Sequence, residues 1–127
     1  MKIKNRTHYD TALLHAIFTE CKKITGVYVD NVSVIYHITL FGKCPKWISA
    51  YAYVGGSKIV IKLPKRKEWA LNSNIGQLEY KSQALATVAI HELGHLIKVP
   101  HNCGLTFEHL FIDKIKETFN DESFPVK

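Results

Sequence analysis

Between Ala84 and Ile97 the chain reads ALATVAIHELGHLI, and this stretch decides how the rest of the protein is arranged. Apart from its two histidines, one glutamate and one threonine, every residue in it is apolar or small. A helix that is apolar around its whole circumference belongs in the middle of a domain. The stretch therefore predicts a central buried helix, for which Ser82 offers an N-cap and beyond which Pro100 prevents continuation.

Three ionisable side chains, His91, Glu92 and His95, interrupt this apolar helix. At 3.6 residues per turn the two histidines lie about 40° apart and Glu92 about 100° from His91, so all three share one face. Such a face can present two imidazole nitrogens to one metal ion, with a carboxylate close enough to take a proton from a metal-bound water. Without a metal, each group would need its own buried partner to offset its desolvation. The spacing therefore favours a metal site.

A third histidine, His101, follows His95 by six residues, just after Pro100 turns the chain. A helix that ends sharply can bring a third imidazole to the same ion and leave the fourth tetrahedral position of zinc open for water. We therefore expect His91, His95 and His101 to bind Zn²⁺ and Glu92 to be the catalytic residue. Glu108 is an alternative third ligand in place of His101.

The segment Thr87–Leu96, followed by His101, resembles the zincin metallopeptidases that carry an HExxHxxxxxH signature. Metzincins, including the archaemetzincins and matrixins, share the HELGH string and the spacing to His101. They normally have glycine where this chain has Lys98, and a later methionine turn, whereas Met1 is the only methionine here. The SprT/WLM-like peptidases, which are small, intracellular and often linked to DNA, place a third histidine at a comparable distance without those two features.

Resemblance to either branch implies a zinc-dependent peptidase that cleaves a protein or peptide substrate. Glu92 would act as general base toward water and then as acid toward the leaving amine. Two alternatives remain open. One is a nucleic-acid-associated binding module with a structural or vestigial zinc site, and the other is a hydrolase of a non-peptide amide.

The apolar spacing predicts an amphipathic helix over Thr11–Lys23 and another within residues 105–120. Alternating, β-branched-rich segments at residues 27–41, 47–54 and 58–63 predict strands. The expected fold is a single α+β domain over residues 1–127, of minimal zincin type. In it an N-terminal helix packs on a small, mostly antiparallel mixed sheet, the HExxH helix lies beneath the sheet, and a C-terminal helix closes the core.

The strand at residues 58–63 is expected at an edge of this sheet. Lys58 and Lys62 flank its apolar centre, and Pro64 follows it, which is a pattern typical of edge strands. In zincins an edge strand near the zinc pairs with the extended substrate. Charges that merely prevent edge-to-edge aggregation would give the same pattern.

Composition limits the function classes. The chain has 127 residues, of which 46% are hydrophobic and 22% charged, as in one ordinary globular domain. No apolar run approaches the ~18–20 residues that span a bilayer, so we expect no membrane partner. Cys21, Cys44 and Cys103 are too few and scattered for a disulfide framework, which favours reduced thiols in a cytoplasmic protein.

The net charge of +6 favours anionic partners without selecting one. Lys65, Arg66 and Lys67, close to Trp69, are a candidate basic patch for nucleic acid. Around the metal site, His109 is a candidate supporting residue or oxyanion donor. Three tyrosines are further candidate oxyanion stabilisers: Tyr51, Tyr53 and Tyr80.

Overall fold

The computed structural model describes residues 1–38, 45–53, 57–66, 69–73, 76–99, 107–122 and 124. Its elements, in chain order, are β1 (Lys2–Asn5), α1 (Thr11–Thr25), β2 (Asn31–Tyr36), β3 (Ser49–Ala52), β4 (Lys58–Leu63), β5 (Asn72–Ser73), β6 (Gly76–Gln77), α2 (Lys81–Leu96), a 3₁₀ helix (Phe107–Phe111) and α3 (Ile112–Thr118). The predicted α+β class is confirmed.

Four strands form one mixed sheet in the order β1-β2-β4-β3, and β5 and β6 form a separate antiparallel pair. β2 is parallel to both β1 and β4, whereas β3 is antiparallel to β4. The expectation of a mostly antiparallel sheet is therefore corrected for the four-stranded sheet. The expectation missed two parallel pairings: β1, with only Ile3 as an apolar residue, carries no clear strand pattern, and β2 pairs with β4 instead of with β3, the next strand along the chain. With β1 present, α1 becomes the crossover of a β-α-β unit, which pairs its strands in parallel.

β4 lies inside the sheet, between β2 and β3, so the prediction of an edge strand over Lys58–Leu63 is wrong. Its lysines protect no edge, because they project from one face of an interior strand. Pro64 comes directly after the last paired residue, where its missing N–H removes no bond of the ladder. Among the strands that the structure describes, β1 and β3 are at the edges of the sheet.

One face of the sheet forms the core. Val32 and Val34 of β2 pair with Ile59 and Ile61 of β4, and all four are buried in one cluster with residues of α1 and α2. Because side chains alternate along a strand, the intervening residues project from the opposite face. Ile35 and Val60, the apolar residues among them, neither belong to the hydrophobic core cluster nor are among the hydrophobic residues packed against it.

The predicted N-cap, Ser82, does not cap α2, and Gln83 instead holds the chain that enters the helix. The N-cap position is Tyr80, whose side chain makes no capping bond, and Ser82 is buried within the helix. The backbone N–H of Glu79 donates to Oε1 of Gln83 (2.9 Å), and Nε2 of Gln83 donates to the Phe119 carbonyl (2.8 Å). One buried amide therefore connects the segment before α2 to the end of α3.

The predicted C-terminal helix forms as two pieces, the 3₁₀ helix and α3. Ile115 and Phe119 are buried in the core cluster, and Phe107 and Phe111 pack against it, as their four-residue spacing predicts. Among the described helices, none combines the length and the apolar character needed to cross a membrane.

Gly94 lets the 3₁₀ helix approach α2 closely. A Cβ atom at this position would lie 2.8 Å from Cδ2 and 2.9 Å from Cβ of Phe107, closer than non-bonded carbon atoms pack. The clash with Cβ is close to the backbone, so a rotation of the phenyl ring alone would not relieve it. A residue without a side chain is therefore needed where the two helices touch.

We predict that Gly94→Ala destabilises the protein although alanine favours helix. Overpacking of this kind costs about 1–3 kcal/mol, against a gain in helix propensity of up to about 1 kcal/mol. The expected net effect is a lower urea midpoint in equilibrium unfolding. Leu110→Ala, on the same 3₁₀ helix but at a side chain 62% exposed, is the control and should leave the midpoint nearly unchanged. A Gly94→Ala protein as stable as wild type would contradict the packing argument.

Candidate metal centre

The last turns of α2 bring His91, Glu92 and His95 together, as the spacing predicts. Each offers one ligand atom, and these atoms all lie within 4.8 Å of one another. Glu92 is 5% exposed, and the histidines are half-buried. This group could hold a metal ion.

The two imidazoles face each other through their Nε2 atoms, which lie 3.0 Å apart. Two nitrogens that bind one tetrahedral zinc at its usual bond length are separated by about 3.3 Å. The rings are nearly perpendicular, with an interplanar angle of 86°. The spacing of the two nitrogens is thus close to the one a shared zinc ion requires.

The other nitrogen of each imidazole is held by an oxygen. Nδ1 of His95 lies 3.0 Å from the Val99 carbonyl, and Nδ1 of His91 lies 2.8 and 3.0 Å from the two carboxylate oxygens of Glu108. A carbonyl and a carboxylate only accept hydrogen bonds, so each Nδ1 carries the proton and donates it. In a neutral imidazole this leaves Nε2 with a lone pair, which is the atom and the state that a metal needs.

The end of α2 places the Val99 carbonyl. The Val99 N–H donates to the Gly94 carbonyl (2.9 Å), and the Lys98 N–H donates to the His95 carbonyl (3.0 Å). These two bonds make a Schellman motif, which requires a left-handed residue at the position of Lys98. Lys98 has φ = 64°, the only positive φ among the described non-glycine residues. It therefore adopts the conformation for which glycine is usually selected there.

Glu108 was expected as an alternative third ligand, and its carboxylate lies instead on the outer nitrogen of His91. The two side chains are 21% and 13% exposed for His91 and Glu108, so the pair is largely shielded from water. The arrangement is the carboxylate–histidine pair that commonly orients a metal ligand. The other expected ligand, His101, lies outside the described residues.

The contact between Glu108 and His91 also affects the protonation of His91. The hydrogen bond to Glu108 raises the pKa of His91 above its usual value, burial opposes this, and the charges of Glu108 and Glu92 add to the rise. A raised pKa in the folded state stabilises the metal-free protein below about pH 6.5, the value in the unfolded chain. That contribution is lost as the pH rises through the higher pKa of folded His91. The proton and a metal ion compete for the same histidine.

The candidate oxyanion donors are not all brought to this site. Tyr51 lies on the sheet face that points away from α2, because Ala50 and Ala52 are the residues of β3 that pack against the core. Tyr53 is two residues further along and half exposed. Tyr80 is the N-cap of α2, eleven residues before His91, so about 16 Å separates the two along the helix axis. His109 is half-buried in the 3₁₀ helix beside Glu108.

The candidate basic patch for nucleic acid lacks the aromatic partner that the sequence suggested. Trp69 is not an exposed partner of the Lys65–Lys67 patch, because its Nε1 donates to the Tyr9 hydroxyl (3.0 Å) and its ring packs against Phe124. Lys65 and Arg66 are exposed, and Lys67 lies outside the described residues.

Burial raises the pKa of the Cys21 thiol well above its usual range, so this cysteine is a packing residue. Cys44 and Cys103 lie outside the described residues.

We predict that Lys98→Gly stabilises the protein. Glycine removes the steric cost of the left-handed conformation, and the expected gain is about 0.5–1 kcal/mol in the free energy of unfolding, measured by urea titration. Lys98→Val is the matched comparison and should be less stable than wild type, because a β-branched residue is most strained at this φ. A glycine variant no more stable than wild type would contradict the role given to Lys98.

We predict that Glu108→Gln weakens zinc binding without abolishing it. Loss of a carboxylate that orients a metal-ligating histidine typically lowers metal affinity by about 10–100-fold. The affinity can be measured by competition with a chromophoric zinc chelator. Glu117→Gln on α3, at an exposed position, is the control and should bind zinc as wild type does. An unchanged affinity of the Glu108 variant would show that the carboxylate does not serve the site.

Comparison with known proteins adds no relative from which a function could be transferred. No family model matches the chain, and no curated protein and no solved structure matches it. What the structure supports is the group of His91, Glu92 and His95, which could hold a metal ion.

Proposed function

We propose that this protein is a zinc-dependent metallopeptidase. The observation that carries the proposal is the pair of Nε2 atoms 3.0 Å apart, with each Nδ1 already donating to an oxygen. Two lone pairs at this distance repel each other unless a cation or a proton lies between them. The carboxylate of Glu92 next to this pair adds the negative charge that favours a cation.

A zinc ion bound here would supply a Lewis acid that polarises a carbonyl and lowers the pKa of water to about 7. His91 and His95 hold it through Nε2, and we propose His101 as the third ligand on the strength of the resemblance. Glu108 and the Val99 carbonyl keep the two rings in the tautomer and orientation that binding requires.

Glu92 is the proton carrier in this proposal. It is the neighbour of His91 on α2, and its carboxylate belongs to the same cluster. We assign it to proton transfer and leave the ligand positions to the histidines. A carboxylate held beside a metal-bound water can accept a proton as general base and return it as general acid. It would take a proton from the attacking water and return it to the amine that leaves.

The edge strand for a substrate is β3 rather than β4. β3 is antiparallel to β4 on one side, lies at the edge of the sheet on the other, and contacts α2. An extended peptide added along such an edge is held by main-chain hydrogen bonds and so can vary in sequence. We propose β3 as the substrate-pairing strand and a cytoplasmic location consistent with the reduced Cys21 thiol.

The test is Glu92→Gln, a variant that keeps the size of the side chain and removes its charge and basicity. Loss of a general acid–base group typically costs about 10²–10⁴-fold in rate. We expect zinc content, measured by elemental analysis, to stay near that of wild type. Cleavage of a mixed-sequence peptide library, read by mass spectrometry, should fall by at least about 100-fold.

His91→Ala provides the complementary variant and should lose both zinc and cleavage. Glu117→Gln is again the matched control and should change neither. A wild-type protein that binds zinc but cleaves no peptide, or a Glu92→Gln protein that cleaves as well as wild type, would contradict the proposal.

A further inference from the structure

The sheet face opposite the helices carries a distinct set of side chains, which we call the open face: Lys2, Lys4, Lys58, Lys62, Tyr51 and Tyr53. The register aligns Lys2 with Asn31 and Lys58 in one row across the sheet. The next row aligns Lys4 with Ser33, Val60 and Tyr51. These residues project away from the core, and none of them belongs to the core cluster.

An open face is unusual for this type of sheet. Parallel strands are normally covered on both faces, and here two of the three pairings of the sheet are parallel. Val60, in the middle of the face, is only 4% exposed although it lies outside the core cluster. The neighbouring residues of its own face, such as Lys58, Lys62 and Tyr51, are the long side chains that can cover it.

The charge of the face has one sign. The four strands contain four lysines and no aspartate or glutamate. A shallow depression of about 580 Å³ lies across β1, β2 and the start of β4 and is lined in part by Lys2, Lys4 and Lys58. A surface of this kind attracts a polyanion and repels a second copy of itself.

Aromatic rings lie beside these charges. Tyr51 and Tyr53 are 44% and 51% exposed, with ring centroids 6.0 Å apart. The ammonium groups of Lys62 and Lys58 lie 5.6 and 5.8 Å from the centres of the Tyr51 and Tyr53 rings. Exposed rings next to lysines are the combination that binds single strands, because bases stack on the rings and phosphates meet the ammonium groups.

We propose that the open face binds a single-stranded polynucleotide. A duplex fits less well, because its bases are already stacked on one another and cannot reach the tyrosines. An acidic polypeptide would use the lysines but not the flat rings. The proposal does not rest on the metallopeptidase, since the metal centre lies on α2, on the other side of the sheet. The two proposals share only β3, which carries Tyr51.

The test measures binding of a fluorescein-labelled single-stranded DNA 12-mer of mixed sequence by fluorescence anisotropy over a salt series. If four lysines each neutralise one phosphate, the logarithm of the association constant falls against the logarithm of salt concentration with a slope of about −2.8. Lys58→Gln with Lys62→Gln should reduce this slope to about −1.4. Lys114→Gln with Lys116→Gln, two exposed positions on α3, changes the net charge equally and should leave the slope near −2.8.

Stacking is tested separately by Tyr51→Leu and Tyr53→Leu, each expected to weaken binding at least about fivefold. Tyr28→Leu, at a tyrosine 48% exposed outside the open face, is the matched control. Circular dichroism establishes that each variant is folded. The proposal is overturned if the two lysine pairs have equal effects, if the tyrosine variants bind as wild type does, or if the duplex or a glutamate 12-mer competes as well as the unlabelled single strand.

Discussion

Every polar group on α2 needs a partner inside the protein, because the helix is buried along nearly its whole length. An unpaired polar group in such a place costs on the order of several kcal/mol, and an unpaired charge costs more. In the N-terminal half of α2, the side-chain amide of Gln83 accepts from the Glu79 N–H and donates to the Phe119 carbonyl. The Thr87 hydroxyl donates to the Gln83 carbonyl. In the C-terminal half, each histidine donates to an oxygen that lies later in the chain, on Glu108 for His91 and on Val99 for His95.

The metal centre and the end of α2 are therefore one structure. Val99, four residues after His95, accepts from one histidine, and Glu108, seventeen residues after His91, accepts from the other. The first contact depends on the left-handed backbone of Lys98, and the second depends on the approach of the 3₁₀ helix that Gly94 permits. Gly94, between Glu92 and His95, is therefore part of the site, since it allows the 3₁₀ helix that carries Glu108 to approach α2.

Features of the fold that depend on a single sequence periodicity could be predicted from the sequence. The spacing of His91, Glu92 and His95 on a helix predicted their convergence, and the apolar pattern of residues 58–63 matched β4 to the residue. Features that depend on pairing between distant segments of the chain could not be predicted. β1 is too short and polar to show a strand pattern, and no local pattern reports that β4 pairs with β2 on one side and with β3 on the other. The role of Glu108 likewise depends on how closely two helices pack, which no local pattern reports.

Lys98 illustrates a limit of describing a site by its residue letters. Written as letters, the end of this helix departs from a pattern that has glycine after the second histidine. Written as backbone dihedral angles, Lys98 at φ = 64° has the left-handed conformation that glycine usually provides at a helix end, and the Val99 carbonyl accepts from the His95 imidazole. A search for such helix ends by residue type alone therefore misses those in which a residue other than glycine adopts the left-handed conformation.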